Sequence, residues 1–323
     1  LIWGSTWIVI KGQLGIVPVV KIDQPEQAQP LAEALCAGGL PLAEITFRTE
    51  HAAEAIRIIS ARVPQMLVGA GTVISCEQVD RALDAGARFI VSPGFNEKVV
   101  RHCIDRNVPV TPGCSNPSDI ERAIECGLDV VKFFPAEPLG GLNYIKAVAG
   151  PYPQIRFMPT GGIGPHNLCE YLAYDKIVAC GGSWMVPSKL IAAGDYRGVT
   201  ASVREAVSLL LGVTLKHIGV NETDEEAALG TATAFSGLLL APVRIGNSSV
   251  FAGTAIEVMK KPFLGAHGHI ALGVNNIPRA LAYLADQGIL PDMSTVKSDD
   301  VGNIKAVYLQ EEIGGFAVHL LQN

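Results

Sequence analysis

Two charged residues stand inside apolar runs that a folded chain would have to bury. In residues 128–137, LDVVKFFPAE, Lys132 interrupts a strand-like stretch, and the period-two alternation of a strand places it on the same face as Val130 and Phe134. An ammonium buried there without a partner is costly, whereas a free amine in such a place is what attack on a carbonyl requires. A lysine that merely snorkels from a strand end is the structural alternative. In residues 42–50, LAEITFRTE, the same alternation puts Glu44, Thr46 and Arg48 on one face, so a carboxylate and a guanidinium would share an interior. They are either a structural ion pair or, in an enzyme acting on a keto acid, a proton shuttle and a planar fork for the substrate carboxylate; spacing does not choose between these. Thr72, in GAGTV (69–73), offers a hydroxyl and a backbone N–H, although turn chemistry alone would explain the neighbouring glycines. Two glycine pairs, Gly161 and Gly162 in PTGGIGPHN (159–167) and Gly181 and Gly182 followed by Ser183 in CGGSW (180–184), have the composition of a backbone cradle for a phosphate.

These residues recur at the ends of short apolar runs. From residue 15 to 212 the chain repeats one rhythm of apolar run, Gly/Pro/Thr/Ser-rich turn and amphipathic stretch. Strands are predicted over 16–22, 42–47, 66–70, 88–92, 108–111, 129–134, 155–159 and 177–180, with helix-like stretches such as 26–37 and 118–126 between them. About eight strand–helix units in roughly 200 residues predict an α/β fold, a (β/α)8 TIM barrel with its active site at the C-terminal strand ends. A doubly wound open sheet is the second choice, but no GxGxxG opens the first unit.

Composition narrows the function classes. The 25 Lys+Arg against 31 Asp+Glu leave a net charge of −6, and no basic run is present to track a nucleic-acid backbone. Hydrophobic residues make up 49% and charged residues 17%, which suits a sheet buried on both faces. Seven scattered cysteines without metal-ligand spacing predict a reducing, cytoplasmic setting. Residues 1–14 form an atypical N-terminal segment. Their apolar run is too short to span a membrane and carries no signal-peptide cleavage pattern, and although 1–15 resembles the opening of a drug/metabolite transporter helix, a short cap under the barrel is expected.

The stretches AEITFRTE, VGAGTV, FIVSPGF, VKFFPAE, GPYPQIRFMPTGGI and GGSWMVP, in that order, resemble the bifunctional family of 2-keto-3-deoxy-6-phosphogluconate (KDPG) and 4-hydroxy-2-oxoglutarate (KHG) aldolases over about residues 15–210. The resemblance implies a class I aldolase of carbohydrate metabolism that needs no cofactor, takes a keto-acid substrate and assembles as a homo-oligomer, a trimer. It implies Lys132 as the Schiff-base lysine and Glu44 as the proton-transfer residue. Arg48 and Thr72 become carboxylate contacts and Thr160 the stereochemical determinant. Gly161, Gly162 and Ser183 become phosphate ligands beside Gly181 and Gly182, while Pro93 and Phe134 form apolar walls and Lys21 an extra anion contact. The family's opening helix is replaced here. A non-covalent phosphosugar isomerase on the same barrel is the alternative.

Past Gly212 cysteine is absent, and four of the seven histidines, His217, His267, His269 and His319, fall in the last third. LKHIGVN (215–221) and GHIALGVNN (268–276) echo one another, which predicts a smaller α+β domain over 213–323 made of paired βαβββ modules. This part resembles the glyoxalase/bleomycin-resistance (vicinal oxygen chelate) domains. That resemblance implies a metal site of His217, Glu257, His269 and His319, the last where glutamate is more common, for Zn²⁺, Ni²⁺ or Fe²⁺. A metal-dependent dioxygenase or isomerase, a small-molecule-binding module and an assembly module all stay open.

Overall fold

The computed structural model describes residues 15–323, so the expectations for residues 1–14 lie outside the described residues. The chain divides into two compact units, Leu1–Leu210 and Leu211–Asn323.

In the first unit eight short parallel strands alternate with helices: β1 (Ile16–Val20), β2 (Leu42–Thr46), β3 (Leu67–Gly71), β4 (Ile90–Val91), β5 (Val110–Thr111), β6 (Val130–Phe133), β7 (Arg156–Pro159) and β8 (Cys180–Gly182). Strands β5-β4-β3-β2-β1-β8 form one curled sheet and β6-β7 a pair. Parallel bridges Gly113↔Lys132, Phe157↔Ile177 and Thr160↔Gly181 link these two sets into a ring. Most strands are shorter than the apolar runs that predicted them, and β8 lies later than its run, because residues 177–179 contribute only a bridge. Between the strands run α1 (Ala28–Ala37), α2 (Ala52–Arg62), α3 (Cys76–Asp84), α4 (Glu97–Asp105), α5 (Pro117–Glu125), α6 (Gly141–Ala149), α7 (Leu168–Ala173) and α8 (Ser188–Ala192), with α9 (Tyr196–Leu211) closing the series. Local chemistry starts several of them. Ser75, Asn96 and Asn116 each accept a backbone N–H in the first turn of α3, α4 and α5, and Pro117 begins α5, where its missing N–H is harmless.

The ring is filled with side chains. Val17, Leu42, Phe89, Val91, Val130, Met158 and Ala179, drawn from the strands or the residues just before them, pack into one buried cluster. Each large member contributes about 1.5–3 kcal/mol by leaving water. Two residues further along β2 and β6, on the same inward faces, stand Glu44 and Lys132. The apolar layer is therefore the floor on which the polar layer rests.

The second unit contains two consecutive βαβββ modules. The first is β9 (Thr214–Asn221), α10 (Glu225–Leu239), β10 (Val243–Ile245), β11 (Ser249–Ala252) and β12 (Ile256–Met259). The second is β13 (Gly268–Val274), α11 (Ile277–Asp286), β14 (Pro291–Ser298), β15 (Ile304–Leu309) and β16 (Phe316–Gln322). Asp224 and Asn276 cap the two helices at equivalent points. All eight strands form one sheet in the order β10-β11-β12-β9-β13-β16-β15-β14, so the two modules meet antiparallel at β9 and β13 in a pseudo-twofold arrangement. Ala228 and Ala232 of α10 pack against Val250 and Val258 on one face of the sheet. Among the described residues, no helix of either unit is long and apolar enough to cross a membrane. Among the described residues, Cys36, Cys76, Cys103, Cys114 and Cys126 are free thiols.

Candidate active site

The inward face of β6 carries Lys132, only 5% exposed, and that of β2 carries Glu44, fully buried. Lys132 Nζ donates to Glu44 Oε1 at 3.5 Å, which gives the buried amine the partner that the sequence alone did not reveal. The Phe134 ring faces the same Nζ at 5.4 Å. Glu44 Oε2 and Thr160 Oγ1 are both buried without a protein partner, so two acceptor-capable oxygens are left to meet a ligand.

The placement of Arg48 corrects the sequence expectation. β2 ends at Thr46, and Arg48 lies two residues beyond it, exposed, rather than sharing the barrel interior with Glu44. Its Nε donates to Thr72 Oγ1 at 3.3 Å. Thr72 in turn follows β3 in a left-handed conformation with φ of 56°, a strained backbone for a β-branched residue. The cation thus stands at the mouth and the carboxylate on the floor. A structural Glu44–Arg48 ion pair is not what the fold makes. Thr46 is turned to a structural task, its hydroxyl donating to the Val20 carbonyl at 3.0 Å.

A cavity of about 320 Å³ opens at the same strand ends. Lys21, Arg48, Phe134 and Thr160 line it together with both glycine pairs, Gly161, Gly162, Gly181 and Gly182, and Ser183. Lys21 is tied to Asp23 at 2.8 Å. Gly161 and Gly162 hold φ values of 97° and 84°, which L side chains rarely adopt. Asn167, which the sequence reading passed over, fastens this loop. Its Oδ1 accepts from Gly164 N at 2.9 Å and its Nδ2 donates to the Gly162 carbonyl at 3.1 Å. Behind it, the Tyr171 hydroxyl donates to Glu137, and burial together with that carboxylate pushes the Tyr171 phenol up. Pro93, just past β4, is not among the residues lining the cavity, and its carbonyl lies against Gly113.

The glycines of β3 have a different reason from the turn chemistry that their sequence suggested. A Cβ on Gly69 would lie 2.3 Å from the Phe89 ring, and one on Gly71 would lie 1.8 Å from Glu44 Oε1. Likewise a Cβ on Gly181 would meet Thr160 Oγ1 at 2.3 Å. These positions are empty so that inward-pointing neighbours can occupy the space. Their signal in the sequence is the period-two spacing of Gly69 and Gly71.

Residues 9–202 match the family model described as KDPG and KHG aldolase. The chain belongs to the KDPG and KHG aldolase family. A 2-dehydro-3-deoxy-phosphogluconate aldolase of Treponema pallidum (strain Nichols) is 51% identical to this family member over 195 residues, 60% of this chain and 93% of that protein. The KHG/KDPG aldolase of Escherichia coli (strain K12) is 45% identical over 192 residues, 59% of this chain and 90% of that one. Among solved structures, the KDPG aldolase of Legionella pneumophila, in which pyruvate was captured as a covalent carbinolamine, is 36% identical with a TM-score of 0.61, covering 63% of this chain and 98% of that one. The family match falls within the first unit.

The second unit has a cluster of its own. In β9 and β13, His217 and His269 occupy equivalent positions, and in β12 and β16 so do Glu257 and His319, since Glu257 is registered on Gly219 and His319 on Ala271. Cross-strand partners share a face, so all four side chains project from the same side of the sheet. Glu257 Oε2 lies 2.9 Å from His217 Nε2 and 3.2 Å from His269 Nε2, and these two nitrogens are 3.2 Å apart. Ser249 Oγ donates to the other carboxylate oxygen at 2.7 Å. One ligand atom from each of the three histidines lies within 4.8 Å of the others. His319 Nε2 is buried without a partner. Burial pushes Glu257 up, but hydrogen bonds from His217, His269 and Ser249 outweigh it and hold the carboxyl well below its usual range. Burial, with His269 and His217 alongside, pushes His319 down to about 3, so the ring stays neutral. Gly219 makes room, since a Cβ there would lie 2.0 Å from the His269 ring. His267 stands outside this group, its ring packed near Phe316.

Proposed function

We infer that the first unit is a class I aldolase that cleaves KDPG to pyruvate and glyceraldehyde 3-phosphate, and 4-hydroxy-2-oxoglutarate to pyruvate and glyoxylate, through an imine on Lys132. The observation that carries this reading is the Lys132–Glu44 pair, buried beside a polar cavity at the C-terminal strand ends. Lys132 Nζ attacks the keto carbon of the substrate to give a carbinolamine, and loss of water gives the protonated imine. Cleavage of the bond between C3 and C4 then sends its electron pair toward the iminium nitrogen, forming an enamine as C4 leaves as the aldehyde. Glu44 accepts the C4 hydroxyl proton in that step and returns one to C3 before hydrolysis frees pyruvate. Arg48 and Thr72 hold the substrate carboxylate at the mouth, and Thr160 faces the hydroxyl-bearing carbon. Gly161, Gly162 and Ser183, supported by Gly181 and Gly182, receive the distal phosphate. Phe134 supplies an apolar wall. Relatives of 45–51% identity carrying the aldolase names support the assignment, as does the carbinolamine of the Legionella enzyme. Borohydride reduction in the presence of pyruvate should add the reduced pyruvyl mass to the Lys132 peptide. An unmodified Lys132, or an enzyme that keeps its activity as Lys132→Ala, would instead favour the non-covalent isomerase chemistry.

We further propose that residues 213–323, within the second unit, form a vicinal oxygen chelate-like domain that holds one divalent cation on His217, Glu257, His269 and His319. The fit is supported by the unpartnered His319 nitrogen and by a donor set of three imidazoles and one carboxylate, which suits Zn²⁺, Ni²⁺ or Fe²⁺. A bound cation would supply Lewis-acid polarisation of a ligand oxygen. Ser249 orients Glu257 for this task. Elemental analysis should find about one cation per chain, lost in His217→Ala; a metal-free native chain sinks this reading.

A further inference from the structure

The sheet face that carries His217, Glu257, His269 and His319 is flanked by two cations that, among the described residues, have no carboxylate partner. Register carries the face outward in both directions. Glu257 is paired with Phe251 of β11, which is paired with Arg244 of β10, and His319 is paired with Tyr308 of β15. Lys297 of β14 is paired with Ala306, two residues from Tyr308 on the same face. On one side the Phe251 ring stands edge-on to His217 at 6.0 Å, and the Arg244 guanidinium lies over that ring at 4.9 Å. On the other side Tyr308 stacks on His319 at 4.5 Å, and Lys297 stands on the next strand outward from Tyr308. Among the described residues, neither Arg244 nor Lys297 has an acidic group within ion-pair distance, although Arg57, Arg101, Arg106, Arg156 and Lys305 all do. Glu257 is committed to the histidines. Asp292, which shares the Tyr308 face, is occupied by the N–H and hydroxyl of Ser294.

A guanidinium held over an aromatic ring by its cation–π contact still has N–H groups to offer, and its planar fork can grip a carboxylate with two parallel hydrogen bonds. With a divalent cation in place, the positive charges of this face exceed its negative ones, and a neutral ligand would leave that excess uncompensated. We propose that this face binds a small 2-oxo dicarboxylate, its 2-oxo acid end toward the metal and Lys297 and its distal carboxylate on Arg244. This inference rests on the metal reading of the second unit. The Tyr308 hydroxyl, on the same face and stacked beside His319, is a donor for the ligand's oxygens. The ligand class is the one to which 4-hydroxy-2-oxoglutarate, a proposed substrate of the first unit, also belongs.

The test loads the full chain with Co²⁺ and follows its visible bands, which report the second unit alone, while 2-oxoglutarate or pyruvate is added. The two share the chelating end, and only the first has a distal carboxylate. The native chain should bind 2-oxoglutarate about tenfold or more tightly than pyruvate, as a charge-assisted bidentate contact implies. Arg244→Gln should bring the ratio close to one without changing Co²⁺ uptake, and Arg244→Lys should recover part of it. Equal affinities in the native chain, or a preference that survives Arg244→Gln, overturn the assignment while leaving the metal site standing. Absence of a His217-dependent Co²⁺ spectrum overturns the metal reading and this inference together.

Discussion

Gly71→Ala tests whether the Glu44 carboxylate must stand where it does. Gly71 ends β3 with an ordinary negative φ, so alanine is compatible with the backbone and the effect must come from space. The added Cβ would lie 1.8 Å from Glu44 Oε1, 2.3 Å from its Cδ and 2.4 Å from its Cγ. Ordinary contact begins near 3.4 Å, so the carboxylate has to retreat by roughly 1.6 Å from the position that places it 3.5 Å from Lys132 Nζ. A displacement of about 1 Å in a catalytic constellation costs on the order of 10²-fold in rate, within the 10²–10⁴-fold range of a lost acid–base group. We therefore expect kcat to fall about 10²-fold, with KM changed little because Arg48 and Thr72 are untouched. The overpacking itself should destabilise the unit by about 1–3 kcal/mol. Pyruvate release, coupled to a dehydrogenase that consumes NADH, measures the rate, and thermal melting measures the stability. The double variant Glu44→Ala/Gly71→Ala supplies the control, because truncating Glu44 clears the space, and the second substitution should then add no further loss of rate. A folded Gly71→Ala enzyme with kcat within about threefold of native would refute the reasoning, since general acid–base work by Glu44 implies a larger loss. A rate loss that persists in full on top of Glu44→Ala would refute it as well.

Two further outcomes follow from the first unit. Gly162→Ala imposes a Cβ at φ of 84° and 2.5 Å from Glu137 Cβ, which should distort the glycine loop and raise KM for the phosphorylated substrate about tenfold while sparing 4-hydroxy-2-oxoglutarate; equal effects on both substrates would remove the loop from phosphate binding. Burial pushes the Cys103 thiol from 9.0 up to about 12, with Cys76 and Asp80 adding to it. Its protonated form is therefore favoured in the folded state, a contribution fully present below pH 9 and lost as the pH rises toward 12. On the order of 3 kcal/mol should disappear between pH 9 and 11, and the alkaline fall in melting temperature should be shallower in Cys103→Ala.

Lys132 was legible because a charged residue in an apolar run has few ways to be satisfied, and strand parity pointed it inward. Arg48 was misplaced by the same rule, since parity holds only while the strand continues, and β2 ends at Thr46. The glycines at 69 and 71 resembled turn residues because their reason lies in distant parts of the chain, in Phe89 and Glu44. Asn167 was invisible for a similar reason. An asparagine among Gly, Pro and His has the composition of any loop, and only the folded loop shows it holding both Gly162 and Gly164.

In the second unit the echo of LKHIGVN in GHIALGVNN was enough to predict paired βαβββ modules, because a duplicated pattern of apolar spacing folds twice in the same way. Alternation in sequence also sufficed for the kind of layer each residue would occupy, which is a local property of strands. Distances between layers are not local. Lys132 and Glu44 are 88 residues apart and His217 and His319 more than 100, and they meet only because the barrel ring and the β9–β13 seam bring their strands together. The sequence by itself determined which residues were available for chemistry and the type of element each stood on. Tertiary structure alone decided that Lys132 is paired with Glu44 and that Arg48 stands at the mouth with Thr72, because both depend on where strands end and which strands become neighbours.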